Sequence, residues 1–275
     1  MPRPGIRDVA AVAQVAIAAG REIMAVYGSP FDVEYKNDSS PVTLADIRAE
    51  CVIIEGLRAI APDIPVIAEE SAYSGRLPEA SDLFFLVDPL DGTREFVARN
   101  GEFTVNIALV ADGAPVLGVI FAPATGELVY ADADIGAFAA RIDGDGVIVD
   151  ARPIRARAVG SGAAVALVSR SHRDARTDAV LERMRAGEVR GLGSSLKFCR
   201  IAAGEADLYP RHGPTMQWDT AAGDAILRAA GGCVVALDGA PLQYARRPPG
   251  AALDFANPEF CALGDPAMAA LLRDA

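Results

Sequence analysis

Two short apolar runs, Ile64 to Ala68 and Leu83 to Val87, each stop at carboxylates: Glu69-Glu70 after the first, Asp88-Pro89-Leu90-Asp91-Gly92-Thr93 after the second. Runs of this length without polar alternation suit strands buried on both faces. A chain that ends two buried strands on acids folds around a covered sheet and brings like charges to its strand ends. Phe103 to Val110, Val116 to Phe121 and Glu127 to Ala131 read as further strands, joined by turns at Asp112-Gly113 and Thr125-Gly126. Upstream, Val9, Val12, Ala16, Ile23 and Tyr27 fall at helical spacing, and Gly28 with Pro30 stops the pattern, predicting an amphipathic surface helix. A second helix opens at Thr43, where Thr43-x-x-Asp46 makes a capping pattern and Leu44, Ile47, Ile54 and Leu57 give an apolar stripe. The first half therefore predicts helices over a largely antiparallel sheet.

From Ala164 strand and helix alternate: a strand at Val165 to Ser169, a helix near Ala175 to Arg185 and another from about Ser195. A strand at Ala206 to Tyr209, a helix from Asp219 to Ala230 and a strand at Cys233 to Leu237 follow. The polar segment Arg141 to Arg157 marks a boundary, dividing the chain into an N-terminal α+β subdomain, 1–155, and a C-terminal α/β subdomain, 156–275. Acidic residues outnumber basic ones 37 to 26, for a formal charge of −11, which disfavours nucleic-acid backbone and anionic membrane as partners. The N-terminal stretch lacks the uninterrupted apolar core of a signal peptide, and no segment reads as membrane-spanning. Cys51, Cys199, Cys233 and Cys261 are scattered without a C-x-x-C pair, which suggests no disulfide framework or zinc knuckle and fits a reducing cytoplasm. Peripheral attachment at the inner membrane, and monomer against homodimer, stay open.

Asp88 and Asp91 bracket only two residues, and carboxylates that close repel unless a cation joins them. Hard oxygen ligands suit magnesium, which retains waters and takes phosphate oxygens readily. Gly92 permits close backbone approach, and the amides that follow are placed to meet a phosphate. Simpler roles exist for each residue: a hairpin turn at Asp91-Gly92, a solvated pair at Glu69-Glu70, a helix N-cap at Asp219.

Three segments resemble signatures of the inositol monophosphatase superfamily: Val87 to Phe96, Asn100-Gly101-Glu102-Phe103-Thr104-Val105-Asn106, and Trp218-Asp219-Thr220-Ala221-Ala222-Gly223. Gly193-Ser194-Ser195-Leu196-Lys197-Phe198-Cys199 and Ser169-Arg170-Ser171-His172 resemble the CysQ-type 3'(2'),5'-bisphosphate nucleotidases within it. The resemblance implies a five-layer αβαβα sandwich, an α/β architecture, and two or more magnesium ions held by Glu69, Asp88, the carbonyl of Leu90, Asp91 and Asp219. Glu69 and a hydrogen-bonded Asp46–Thr93 pair are implied to position the attacking water, with Gly92 and Thr93 against the phosphate. Where inositol phosphatases carry a glutamate that contacts a sugar hydroxyl, this chain reads Tyr209-Pro210-Arg211-His212. A cation there suits a second phosphate, with Ser194, Lys197, Asp219 and His172 as further substrate contacts. The implied reaction removes the 3'-phosphate of adenosine 3',5'-bisphosphate, or of 3'-phosphoadenylyl sulfate, clearing a by-product of sulfate assimilation, with lithium as an inhibitor. The alternatives are an inositol or sugar phosphatase and a non-catalytic regulator on the same fold. The chain departs from the common pattern at Arg94, where lysine is frequent.

Overall fold

Alternation along the Leu83 run sets the layering: Phe84 and Leu86 face one core, Phe85 and Val87 another. The computed structural model describes residues 8–36, 41–79, 81–160, 162–170, 174–244 and 255–273. The chain opens with helix α1 (Val9–Tyr27), a two-stranded ribbon of β1 (Val33–Tyr35) and β2 (Pro41–Thr43), and helix α2 (Leu44–Ile60). Then come β3 (Val66–Ala68), the short α3 (Glu69–Tyr73), β4 (Leu83–Asp91) and the short α4 (Thr93–Val97). A meander follows: β5 (Thr104–Ala111), β6 (Ala114–Ala122), β7 (Glu127–Asp132), β8 (Gly136–Ile142) and β9 (Ile148–Ile154). Strands β3 to β9 form one seven-stranded sheet in sequence order, parallel only between β3 and β4.

The second half contains β10 (Ala164–Ser169), α5 (Ala175–Arg183), β11 (Ala186–Leu192), α6 (Leu196–Ala202), β12 (Leu208–Arg211) and α7 (Gln217–Ala229). It ends with β13 (Cys233–Ala236), β14 (Phe260–Leu263), a 3₁₀ turn (Pro266–Ala269) and α8 (Ala270–Arg273). Its sheet has the order β11-β10-β12-β14-β13, parallel around β10 and antiparallel around β14. One core joins α1 and α2 to the seven-stranded sheet, a second wraps α6 and α7 between the two sheets, and a third lies under α5 and the C-terminal helical turns. The layers are therefore αβαβα. The middle layer lies close: a Cβ on Gly118 of β6 would stand 2.4 Å from the Ala222 carbonyl oxygen of α7.

Several sequence expectations are corrected. Helix α1 lies in the outer layer as an amphipathic helix with a broad buried face: ten of its 19 residues are buried, because it packs against both α2 and the sheet. By length and a mean hydropathy of 1.6 it would also suffice to cross a membrane, contrary to the sequence reading, but 56% of that window is buried inside the protein, as in a core helix. On α2 the buried stripe is Ala45, Ala49, Ile53 and Leu57, while Leu44 and Ile47 are exposed. The small residues let the helices close in: a Cβ on Gly56 would meet Val15 at 2.8 Å. Strands β8 and β9 occupy much of the polar segment from Arg141, β11 and β14 were not foreseen, and α7 starts at Gln217.

Candidate active site

Register brings the acids together. Ala68 pairs in parallel with Val87, so the residues that follow them, Glu69 at the start of α3 and Asp88 still within β4, are neighbours. On the other side Asp88 stands opposite Asn106 and Asp91 opposite Thr104, with an irregularity between them that holds Pro89 and Leu90. Proline has no N–H for a ladder, so a break in register is where it fits. Asp88 Oδ1 accepts a hydrogen bond from the Leu90 N–H at 3.0 Å. Gly92 follows with φ +91, a left-handed conformation, and a Cβ there would approach the Glu102 carbonyl at 3.0 Å. That turn starts α4 and presents Thr93, whose hydroxyl stands 3.2 Å from both Asp46 Oδ1 and the Leu90 carbonyl.

Asp46 has two duties. Its Oδ2 accepts from the Thr43 N–H at 2.7 Å and the Thr43 hydroxyl at 2.8 Å, closing the capping box of α2, while Oδ1 faces Thr93. Burial, opposed by the hydrogen bonds from Thr43, lifts its carboxyl to about 6. Asp219 arrives from the first turn of α7, where it accepts from the Met216 N–H at 2.9 Å. It does cap the helix, from inside the first turn.

The electrostatics favour a cation beside these acids. Burial first, then Glu69, Asp91 and Asp219, pushes Asp88 well above the usual carboxylate range. Burial with the charges of Asp91 and Glu69 does the same to Asp219. Glu69 and Asp91 are also raised, mainly by desolvation. Four desolvated acids with only oxygen donors fit a hard divalent ion, which would keep them ionised. Among the described residues no three such groups close into a cage, and magnesium, which keeps several waters, does not require one.

Lys36 was given no role by the sequence. Its ammonium bonds Glu69 Oε1 at 2.7 Å and Glu70 Oε1 at 2.6 Å and lies 4.4 Å from the Tyr73 ring centre. Burial alone would lower its affinity for a proton, but the two carboxylates raise it above the ordinary lysine value. The glutamates are thus a shielded pair, with side chains 18% and 14% exposed, and not a solvated one. Glu50, buried on α2, was missed as well: it accepts from the Glu70 N–H at 2.7 Å and the Ser71 hydroxyl at 2.6 Å. Nothing near Lys36 in sequence signals its partner, which lies 33 residues away.

These residues border a cavity of about 460 Å³ whose walls include Glu69, Asp91, Gly92, Thr93, Ser194 and Asp219. Across it, from the second half of the chain, come Lys197 and Arg211. Ser194 has φ +48, strained for a residue with a Cβ. Lys197 is buried, and its ammonium donates to the carbonyls of Leu192 at 3.0 Å and Ser194 at 2.5 Å. Burial lowers it to about 8. Arg211, 8% exposed, donates through Nη2 to the Pro214 carbonyl, while its buried Nε has no hydrogen-bond partner among the described residues. His172 lies outside the described residues.

Known proteins with this pattern cover nearly the whole chain. A 3'(2'),5'-bisphosphate nucleotidase CysQ of Shigella flexneri is 46% identical over 253 residues, 90% of this chain and 96% of that protein. The CysQ of Escherichia coli K12 is 44% identical over 256 residues, with the same coverage. Among solved structures, CysQ from Bacteroides thetaiotaomicron superposes with a TM-score of 0.72 at 36% identity, covering 93% of this chain and 96% of that one. An inositol monophosphatase from Anabaena superposes with a TM-score of 0.73 at 26% identity, covering 96% and 93%. The model of the inositol monophosphatase family matches residues 6–263, and over that span this chain belongs to the inositol monophosphatase family.

Proposed function

We propose that the chain is a magnesium-dependent phosphomonoesterase that removes the 3'-phosphate of adenosine 3',5'-bisphosphate, leaving AMP and phosphate, and that it also accepts 3'-phosphoadenylyl sulfate. The observation that carries this reading is Arg211: a buried guanidinium with an unmatched Nε, on the cavity wall with Lys197 and across from the acids. A desolvated cation with donors to spare fits a second phosphate better than a sugar hydroxyl. The names carried by the relatives of similar length support the same substrate.

In this reading Glu69, Asp88, Asp91, Asp219 and the Leu90 carbonyl would hold two or more magnesium ions. When bound, the metal polarises the phosphoryl oxygens and offsets charge on the leaving oxygen. The Thr93 hydroxyl, donating to Asp46 Oδ1, leaves its own lone pair to accept a hydrogen from the attacking water and aim it at phosphorus. Asp46, lifted to about 6, is suited to hold that proton near neutral pH. Water adds to phosphorus as the P–O3' bond breaks, and the ribose oxygen takes up a proton. The amides of Gly92 and Thr93 and the Ser194 turn line the phosphate position, with Lys197 fastening that turn. Residues 1–155 then supply most of the metal site and 156–275 the substrate side, with Asp219 crossing between them. Four free cysteines accord with a reducing cytoplasm, removal of a sulfate-assimilation by-product accords with the substrate, and lithium inhibition follows from the family metal chemistry.

Phosphate release from adenosine 3',5'-bisphosphate, inositol 1-phosphate and fructose 1,6-bisphosphate with magnesium tests the substrate. The nucleotide should have the highest kcat/KM, and preference for either sugar phosphate would overturn the assignment. Asp91→Asn should abolish nearly all turnover while the protein stays folded; a regulator would be unaffected in its partner binding.

A further inference from the structure

Asp91 is held by more than its own strand. Its Oδ2 accepts from the Ser195 N–H at 2.5 Å and from Asn106 Nδ2 at 3.4 Å. An ionised carboxylate can only accept, so Asn106 must present its NH₂ to Asp91 and turn Oδ1 away. That Oδ1 accepts from the Ser195 hydroxyl at 2.7 Å. Having given its hydrogen to Asn106, the Ser195 oxygen can only accept from its other neighbour, the Thr104 hydroxyl at 2.8 Å. Every donor direction is thereby determined: Thr104 to Ser195, Ser195 to Asn106, Asn106 to Asp91. Thr104, Asn106 and Ser195 are each 1% exposed or less, so water does not compete.

We infer that Thr104, Ser195 and Asn106 form a directed hydrogen-bond chain that sets the rotamer of Asp91 for a divalent metal ion and joins the metal site to the Gly193–Ser195 turn. Thr104 and Asn106 share one face of β5, two residues apart, and Ser195 is the cap residue of α6. The chain thus ties a strand of the seven-stranded sheet to the turn that frames the cavity from the other half of the molecule. These are positioning residues, and the inference rests on the magnesium reading above.

Magnesium titrated into the substrate-free protein by calorimetry tests it, without recourse to turnover. Ser195→Ala strands Asn106 Oδ1 and the Thr104 hydroxyl, and should weaken magnesium by about tenfold or more, the usual scale for groups that support a metal ligand. Thr104→Val, which keeps the shape and loses the hydroxyl, should weaken it in the same direction. Thr104→Ser should stay near wild type, and Thr104→Val added to Ser195→Ala should change nothing further. A folded Ser195→Ala protein with wild-type affinity would overturn the inference, as would equal losses in Thr104→Ser and Thr104→Val. Asp91→Asn separates the two levels: wild-type affinity in that variant would overturn the magnesium reading itself, whereas loss there beside intact binding in Ser195→Ala and Thr104→Val would overturn only the chain.

Discussion

Lys197 lies on the cavity wall with its ammonium engaged by two carbonyls of the turn that precedes it. From sequence it reads as a substrate contact; the structure makes it a buried fastener on the cavity wall. Burial disfavours its charged form, so the native protein gives up this proton near pH 8, while the unfolded chain holds it to about 10.5. In that window the unfolded state binds more protons and this group's contribution to stability rises with pH. Under the proposed function, activity moves the other way, because the neutral amine is a weaker donor to Ser194 and would no longer attract phosphate. We expect kcat/KM for the bisphosphate to fall above about pH 8, and Lys197→Met to raise KM and remove that limb. A wild-type profile with the same limb as Lys197→Met would refute the assignment. Asp46 shows how far a residue can be read in advance: its capping pattern with Thr43 was visible, but its buried position against Thr93, 47 residues away, was supplied by resemblance and not by spacing.

Among elements, α3 depends on a distant side chain for its start. It has five residues, begins with two glutamates, and its N-cap is Ala68, which offers no side-chain acceptor. Glu50 of α2 serves instead, accepting from the Glu70 N–H and the Ser71 hydroxyl. Because Glu69 is the first residue of α3, fastening the helix also fastens Glu69. Glu50→Ala should cost about 1–3 kcal/mol, the scale for stranding buried donors, and should lower kcat through the displaced Glu69. Glu50→Gln, which keeps one acceptor, should lose less of both. Urea unfolding and steady-state rates check this, and wild-type values for Glu50→Ala would sink it. Helix α2 also shows where periodicity misleads. Leu44 and Ile47 lie on a stripe of helical spacing, yet the buried stripe is Ala45, Ala49, Ile53 and Leu57. Large apolar residues were the obvious markers and Leu57 follows them, but the first turns of α2 are buried through the small Ala45 and Ala49.

The whole molecule depends on two sheets sharing one helical layer. That sharing brings Asp219, on α7, to Asp88 and Asp91 on the first sheet, and it is decided at Gly118, where β6 meets the α7 backbone. Gly118→Ala places a Cβ 2.4 Å from the Ala222 carbonyl oxygen, a contact that a flexible side chain cannot relieve. Overpacking of this kind costs about 1–3 kcal/mol, or a Tm lower by about 2–12 °C at the usual 2–4 °C per kcal/mol for a chain of this size. Thermal unfolding checks it, and an unchanged Tm would show that α7 is free to withdraw. What the sequence determined by itself was local: the buried strands with acids at their ends, the Thr43 cap, the glycine after Asp91 that permits close backbone approach, and motifs sufficient to indicate the family. Tertiary structure decided which residues across the chain hold those acids, namely Lys36, Glu50, Asn106 and Ser195. The physical reason is that a cap, a strand and a turn depend on neighbours in sequence, whereas partners for a buried charge are set by register and layer contact over 15 to 104 residues, which no local period encodes.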